Sequence, residues 1–227
     1  MYAVITGASR GIGKALAYKF ASHNYDLILT CENNIDFLTC VKEDIEKLYG
    51  KKVYVKQGLL DENLPDDIYL LINNAGKCDY GLFQNVTYER YKEITYANLD
   101  YCFLTTRLIS KILLKNKQGI IANISSMWGI VGSSSESIYA MTKGGINTLT
   151  KSLAKEFLYS NIDVIAFALG AVNTDMNKNF INNEEFMSNL NGHKMYDTNE
   201  IAEKIYQIIS YKKYKTGDII EINNGLE

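Results

Sequence analysis

The sequence contains little cysteine, histidine or proline, and each scarcity excludes a class of structure. Its four cysteines, Cys31, Cys40, Cys78 and Cys102, form no C-x-x-C pair, and there are only two histidines. This spacing argues against a structural zinc site, and we predict no bound metal. A single proline, with no linker-like stretch, repeat or low-complexity block, argues against a flexible linker between two domains. We therefore expect residues 1–227 to form one domain that needs no disulfide or metal to fold.

Charge of one sign and long apolar runs are also absent. Twenty-four basic and 26 acidic side chains give a formal net charge of −2, which provides no reason to expect a nucleic acid or an anionic membrane as a partner. No apolar stretch reaches the roughly 18 residues that a membrane-spanning helix needs. A strand-like run begins at Tyr2, where a signal peptide would otherwise lie, and free thiols fit a reducing compartment. We expect a soluble, cytoplasmic protein.

What the sequence does contain is an alternation of strand-like and helix-like segments. Short apolar runs predict strands at residues 2–6, 26–31, 52–56, 68–73, 119–125, 162–168 and 218–222. Segments with helical spacing cover residues 14–22, 35–49, 87–115, 137–159 and 199–210. This order is typical of an α/β fold: a three-layer, doubly wound parallel sheet of about seven strands in a single domain.

A glycine-spaced turn joins the first predicted strand to the first predicted helix. It reads Thr6-Gly7-Ala8-Ser9-Arg10-Gly11-Ile12-Gly13. Glycines let the backbone amides approach a pyrophosphate, and the helix N-terminus that follows adds a favourable dipole. Glycines also occur in turns that bind nothing, but the position between a strand and a helix favours a dinucleotide site.

Tyr139 and Lys143 form Y-x-x-x-K within the long helix at residues 137–159, so their side chains share one helix face. An ammonium beside a phenol favours the phenolate, and we therefore expect Lys143 to lower the pKa of Tyr139 and to make it a general acid or base. In a chain with 17 tyrosines the pair alone could be a surface feature. Ser126, which directly follows the predicted strand at residues 119–125 and stands thirteen residues before Tyr139, makes a catalytic pair the favoured interpretation.

Two glycines, Gly144 and Gly145, follow Lys143 inside the predicted helix. Each should cost about 0.8–1 kcal/mol relative to alanine in a helix. We therefore expect another element to approach the helix closely at this point.

The spacing G-x-x-x-G-x-G, the Y-x-x-x-K pair and Asn73-Asn74-Ala75-Gly76 together resemble the short-chain dehydrogenase/reductase family, and the likeness runs from Thr6 to Gly225. The resemblance implies a Rossmann-type fold that binds NAD or NADP. It implies a catalytic set of Ser126, Tyr139, Lys143 and Asn98, the last holding a water of a proton relay. The cofactor contacts that it implies are Gly7, Ser9, Arg10, Gly11, Ile12, Gly13, Cys31, Asn74, Ala75, Gly76, Tyr139, Lys143, Gly170, Val172 and Thr174.

Some positions depart from that family's pattern. Leu169 stands where a proline is usual, and Leu59 where an aspartate often contacts adenine. Residues 58–68 are about one helix shorter than usual for such units. The end of the second strand carries Cys31 instead of an acid, and Arg10 could pair with a 2′-phosphate, which favours NADPH. Glu32 would favour NAD if its carboxylate reached the ribose.

The whole chain is most similar to the β-ketoacyl-acyl-carrier-protein reductases. By analogy the reaction is the NADPH-dependent reduction of a 3-oxoacyl thioester to a 3-hydroxyacyl thioester, as in fatty acid biosynthesis. A reductase of a sugar, polyol or other small carbonyl compound would use the same residues, and an NAD(P)-binding sensor or scaffold without turnover is a third possibility. Residues 173–198 would form a substrate lid, or equally a helix packed on the core. The resemblance also implies a homodimer or homotetramer formed through the helices at residues 87–115 and 137–159.

Overall fold

The computed structural model describes residues 1–176 and 195–223, and it shows a seven-stranded parallel sheet flanked by helices. The strands are β1 (Tyr2–Ile5), β2 (Asp26–Cys31), β3 (Val53–Gln57), β4 (Ile68–Asn73), β5 (Gly119–Ser126), β6 (Ile162–Leu169) and β7 (Ile219–Ile222). Within the described ranges, the α-helices are α1 (Gly11–Ser22), α2 (Ile35–Tyr49), α3 (Tyr88–Thr95), α4 (Tyr101–Asn116), α5 (Trp128–Val131), α6 (Ser137–Glu156) and α7 (Thr198–Ser210). A short 3-10 turn, Phe83–Asn85, precedes α3.

The strand order across the sheet is β3-β2-β1-β4-β5-β6-β7, and every pairing is parallel. The chain therefore runs outward in one direction from β1 to β3, returns to the centre at β4, and continues in the other direction. This is the doubly wound topology that the alternating sequence predicted, and it creates a switch point between β1 and β4.

Alternate side chains of each strand point to opposite layers, and two hydrophobic clusters result. Ala3 and Ile5 of β1 pack into one cluster, and Tyr2 and Val4 into the other. The helices α1, α2 and α7 cover the first cluster, mainly through Leu16, Phe20, Leu38, Val41, Ile45, Ile201 and Ile205. The helices α4 and α6 cover the second, through Ile109, Leu113, Ala154 and Phe157. Both faces of the central strands are thus buried.

The prediction of one continuous helix at residues 87–115 was wrong in its detail. The segment consists of α3 and α4 joined by a π-helical turn, Tyr96–Asp100. A π turn inserts one extra residue into a helix, a change that hydrophobic spacing does not reveal. The shortened connection was predicted correctly: residues 58–67, all described, contain no helix between β3 and β4.

A close contact between α5 and α6 explains the glycines of the long helix. A Cβ atom at Gly144 would lie 3.4 Å from the carbonyl oxygen of Gly129, and one at Gly129 would lie 2.6 Å from the backbone carbonyl carbon of Lys143. A Cβ atom at Gly145 would lie 3.2 Å from the Cδ2 atom of Leu99. Close approach of other elements, as predicted, is therefore the reason for the glycines.

We predict that Gly129→Ala destabilises the protein by about 1–3 kcal/mol, because backbone atoms of α6 must move to admit the methyl group. The free energy of unfolding, measured by urea titration, would report the loss. Gly81→Ala is the matched control, because nothing lies within 4 Å of a Cβ atom at Gly81. Equal stability of the two variants would contradict the close contact.

Candidate active site

A cleft of about 310 Å³ opens at the carboxyl edge of the sheet, around the switch point. Its walls are the segments that follow β1, β2, β4, β5 and β6. Ligands bind at this position in doubly wound sheets, because successive loops diverge there. The sequence-predicted residues that line it are Gly7, Ser9, Arg10, Gly11, Ile12, Cys31, Asn74, Ala75, Gly76, Ser126, Tyr139, Lys143, Gly170, Val172 and Thr174. Two predicted residues, Gly13 and Asn98, are not part of its lining.

The glycine-spaced turn has the backbone conformation that its sequence requires. Gly7 and Gly11 have φ angles of +67° and +55°, which L side chains rarely adopt. A Cβ atom at Gly13 would collide with the carbonyl oxygen of Gly7, so Gly13 allows the turn to pack onto α1 and does not reach the cleft. No described side chain caps the N-terminus of α1. The first amides of α1, together with the helix dipole, therefore suit a phosphate group, and the turn fits a dinucleotide.

Asn74 and Thr6 hold this turn against the end of β4. The Asn74 Nδ2 atom donates to the carbonyl oxygens of Thr6 and Gly7 at 2.9 and 3.2 Å. The Thr6 hydroxyl oxygen accepts from the backbone amides of Asn74 and Ala75 at 2.9 and 3.0 Å. The Asn-Asn-Ala-Gly segment thus supports the glycine turn through hydrogen bonds across the switch point.

Ser126, Tyr139 and Lys143 come together on the other wall of the cleft. Ser126 ends β5 and lines the cleft beside Tyr139, where its hydroxyl is close enough to interact with the phenol oxygen. Lys143 lies one turn further along α6, with its Nζ atom 5.5 Å from the centroid of the Tyr139 ring. This Nζ atom donates to the carbonyl oxygen of Ile124 at 2.8 Å. The sequence therefore predicted the convergence of these three side chains correctly.

Burial controls the protonation of this group. It raises the pKa of the Tyr139 phenol above its ordinary value, and the nearby Cys78 and Glu136 add to the rise, whereas the hydrogen bond from Ser126 opposes it. Burial also lowers the pKa of Lys143 to about 8. The expectation that Lys143 lowers the pKa of Tyr139 is wrong for the protein alone, because desolvation of the phenol dominates.

Asn98 lies in the π turn and is buried. Its Nδ2 atom donates to the Lys77 carbonyl oxygen and to the Thr142 hydroxyl, each at 2.9 Å, and its Oδ1 atom accepts from the Lys77 amide at 2.7 Å. These bonds tie the loop after β4 to α6 beside Lys143. The side chain thus acts as a structural link, and a role of Asn98 in a proton relay stays a prediction.

The far end of the cleft, beyond β2, carries the groups that bear on the choice of cofactor. Cys31 is buried, and the Glu32 carboxylate pairs with the Lys77 ammonium at 3.0 Å. Arg10 is largely exposed and lies 3.5 Å from the Asp175 carboxylate. Lys77 also pairs with Glu93, so its charge is balanced by two carboxylates, whereas the exposed Arg10 guanidinium group can turn toward an added phosphate.

The cleft residues that escaped the sequence interpretation include Lys77, Cys78 and Glu136. Lys77 and Cys78 directly follow the Asn-Asn-Ala-Gly segment, and Glu136 stands three residues before Tyr139. Their positions next to recognised motifs were the available signal. Their side-chain partners, however, depend on contacts across the sheet that spacing does not reveal.

Part of the predicted substrate lid is outside the described residues, since residues 177–194 are not covered, and neither are Asn224 and Gly225. The two ends of that segment are described. Val172 forms a β-bridge with Tyr196, and the Gly170 amide donates to the carbonyl oxygen of Ile222 at 2.8 Å. The predicted contacts Gly170, Val172 and Thr174 are therefore held at the cleft without the proline that Leu169 replaces.

The described part of the chain holds no group of three or more His, Cys, Asp or Glu side chains that could bind a metal ion. None of its helices is both long enough and apolar enough to span a bilayer. The four cysteines are free thiols.

The chain is similar to proteins of known sequence over nearly its whole length. It is 31% identical to an uncharacterised oxidoreductase, YmfI, of Bacillus subtilis, over 98% of this chain and 97% of that protein. It is 32% identical to the 3-oxoacyl-[acyl-carrier-protein] reductase FabG of Aquifex aeolicus, over 98% of this chain and 96% of that protein.

Solved structures of similar fold include two dehydrogenases. Acetoin dehydrogenase from Enterobacter cloacae superposes with a TM-score of 0.85 at 25% identity, covering 99% of this chain and 94% of that one. A putative NAD(P)-dependent gluconate 5-dehydrogenase from Beutenbergia cavernae, with bound NADP, superposes with a TM-score of 0.89 at 21% identity, covering 99% and 96%. At that identity the second likeness shows the fold alone.

The family itself follows from the sequence match. The model that describes short-chain dehydrogenases matches residues 1–185, well over half of the 227 residues. Relatives above 30% identity align along the full chain. This protein belongs to the short-chain dehydrogenase family of oxidoreductases.

Proposed function

We propose that this protein uses NADPH to reduce a ketone to an alcohol, and that its substrate is a 3-oxoacyl thioester. The observation that carries the proposal is the meeting of the Ser126 hydroxyl, the Tyr139 phenol and the Lys143 ammonium in one cleft with the glycine-spaced turn. A hydrogen-bond donor and a proton donor beside a nucleotide site are the groups that carbonyl reduction requires.

Each group of the chain has a distinct part in this reaction. NADPH would be held by the glycine turn at its pyrophosphate and by Lys143 at its nicotinamide ribose, and when bound it supplies the hydride. Ser126 donates a hydrogen bond to the ketone oxygen, where negative charge develops. Because burial keeps the Tyr139 phenol protonated at neutral pH, Tyr139 can deliver a proton to that oxygen.

The thioester substrate is supported by relatives and not by the geometry of the cleft. The Aquifex aeolicus relative and several others near 30% identity are named 3-oxoacyl-[acyl-carrier-protein] reductases. The likeness to an acetoin dehydrogenase favours a second candidate, reduction of a small hydroxylated ketone at the same groups. A nucleotide-binding protein without turnover is less well supported, because such a protein has no need of a buried Ser126, Tyr139 and Lys143 set.

NADPH is favoured over NADH by the charges beyond β2. No acid occupies the Cys31 position, and the Glu32 carboxylate is partly neutralised by Lys77. Arg10 can pair with a 2′-phosphate through its exposed guanidinium group. The solved neighbour from Beutenbergia cavernae carries bound NADP, which agrees with this choice.

Assembly into a homodimer or homotetramer is also proposed. The helices α4 and α6 leave large apolar side chains exposed, among them Phe103 and Met141, at 55% and 47%. Two such helix faces are suited to pack against a second copy.

Tyr139→Phe should lower kcat for an acetoacetyl thioester about 10³-fold, since the proton donor is lost, while the dissociation constant for NADPH stays within about twofold. Turnover is followed by NADPH absorbance and binding by its fluorescence. Tyr159→Phe is the control, because Tyr159 is 96% exposed. Full activity of Tyr139→Phe would refute the assignment; reduction of acetoin but of no thioester would favour the second candidate.

Arg10→Ala should weaken NADPH binding about tenfold and leave NADH binding nearly unchanged, because only the 2′-phosphate is affected. Both dissociation constants are measured by fluorescence titration. Arg107→Ala, an exposed arginine of α4 away from the cleft, should change neither constant. If the ratio of the dissociation constants for NADPH and NADH is unchanged in Arg10→Ala, Arg10 does not contribute to the choice of cofactor.

Light scattering during gel filtration should give at least twice the monomer mass of 25.7 kDa. Phe103→Glu should shift the protein toward the monomer, since a buried charge opposes an apolar contact. A monomeric mass for the unaltered protein at micromolar concentration would exclude this assembly.

A further inference from the structure

Glu136 immediately precedes α6 and stands three residues before Tyr139, so it is at the edge of the proposed catalytic group. An acidic residue at this position usually caps the helix by accepting bonds from its first amides. The Glu136 side chain makes no such capping bond. The carboxylate is instead directed into the cleft, which it helps to line together with Ser126 and Tyr139.

Two neutral groups hold the carboxylate there. The Cys78 thiol donates to its Oε1 atom at 2.9 Å, and the Ser133 hydroxyl donates to its Oε2 atom at 3.1 Å. Cys78 comes from the loop after β4, so the carboxylate is fixed from two separate parts of the fold. A thiol is a weak donor, and it leaves most of the negative charge of Glu136 available to other groups.

No cation neutralises this charge within the described part of the chain. No lysine or arginine there lies within 4 Å of Glu136; the Lys77 ammonium is paired with Glu32 and Glu93, and the Arg90 guanidinium with Asp79 and Glu93. The Lys143 ammonium is bonded to the carbonyl oxygen of Ile124. The negative charge of Glu136 nevertheless acts on the Tyr139 phenol, because it adds to the rise in the pKa of Tyr139.

We propose that Glu136 selects substrates by charge: it excludes 3-oxo acids that carry a free carboxylate and admits the same ketones when the acid is masked as a thioester or ester. The proposal rests on the proposed carbonyl reduction and specifies its substrate class. A ketone whose oxygen contacts Ser126 and Tyr139 would lie in the cleft that the Glu136 carboxylate also lines. If the substrate also carried a free carboxylate, Glu136 would repel it, because two like charges in a partly buried cleft interact strongly. A thioester carries no charge and meets no such opposition.

The test compares two substrates that share one ketone and differ in charge: acetoacetate and the acetoacetyl thioester of N-acetylcysteamine. In the unaltered protein, kcat/KM for the thioester should exceed that for acetoacetate by about 10² or more. Glu136→Gln should reduce this ratio at least tenfold, mainly through a lower KM for acetoacetate, the size expected for removing one nearby like charge. Glu136→Asp, which retains the charge, should preserve most of the ratio.

The control variant is Glu43→Gln, because Glu43 is an exposed acid of α2 outside the cleft; it should leave the ratio unchanged. Binding of acetoacetate to the NADPH complex, measured by NADPH fluorescence, provides a readout without turnover and should tighten in Glu136→Gln. Suppose that Glu136→Gln reduces the thioester but changes neither the ratio of the two kcat/KM values nor the binding of acetoacetate. That result would overturn the role of Glu136 and leave the proposed function intact. Tighter binding of acetoacetate without any turnover would support the charge selection and overturn the proposed function.

Discussion

Four hydrogen bonds, three to Thr6 and one to Gly7, join the end of β1 to the segment after β4 at the edge of the sheet where the cleft opens. They join the side chain of Asn74 to two backbone carbonyl oxygens and the hydroxyl of Thr6 to two backbone amides. Because β1 and β4 are the strands at which the winding direction reverses, these bonds hold the loops that follow them together at the switch point. Thr6 and Gly7 are the first residues of the glycine turn, so the same contacts position the turn over the cleft. A buried polar group without partners would be costly here, and this pairing satisfies both sides at once.

The second wall of the cleft combines hydrogen bonds, such as that from Lys143 to the Ile124 carbonyl oxygen, with close packing of two helices. The contact of Gly129 with the backbone at Lys143 places α5 directly against α6, and α5 follows the strand that carries Ser126. The positions of the Ser126 hydroxyl and the Tyr139 phenol therefore depend on the separation of α5 and α6, which a single methyl group at Gly129 would alter. Orientation of reacting groups is sensitive to shifts of this size, which links the packing of the helices to the proposed chemistry.

The sequence was informative where one local pattern determined the outcome. Alternating apolar segments predicted the parallel sheet, and the glycine spacing predicted a turn between β1 and α1, where Gly7 and Gly11 have positive φ angles. The sequence was less informative where several elements meet. The prediction for the pKa of Tyr139 took account of Lys143, one helical turn away, but not of the burial that the complete fold imposes. Likewise the π turn at Asn98 and the partners of Glu136 depend on contacts between residues distant in sequence, such as Asn98 with Thr142.

The charges of the cleft are distributed unevenly, and this distribution connects the cofactor end with the substrate end. Beyond β2, Lys77 is paired with Glu32 and Glu93, whereas the exposed guanidinium group of Arg10 faces a single carboxylate and is available to a dinucleotide phosphate. At the other end, the only acid on the lining near Tyr139 is Glu136, held by two neutral donors among the described residues. An anionic cofactor and a neutral ketone are thus each matched to one end. The reverse placement, with an anionic substrate beside the phenol, would oppose both the charge of Glu136 and the negative charge that develops on the ketone oxygen during reduction.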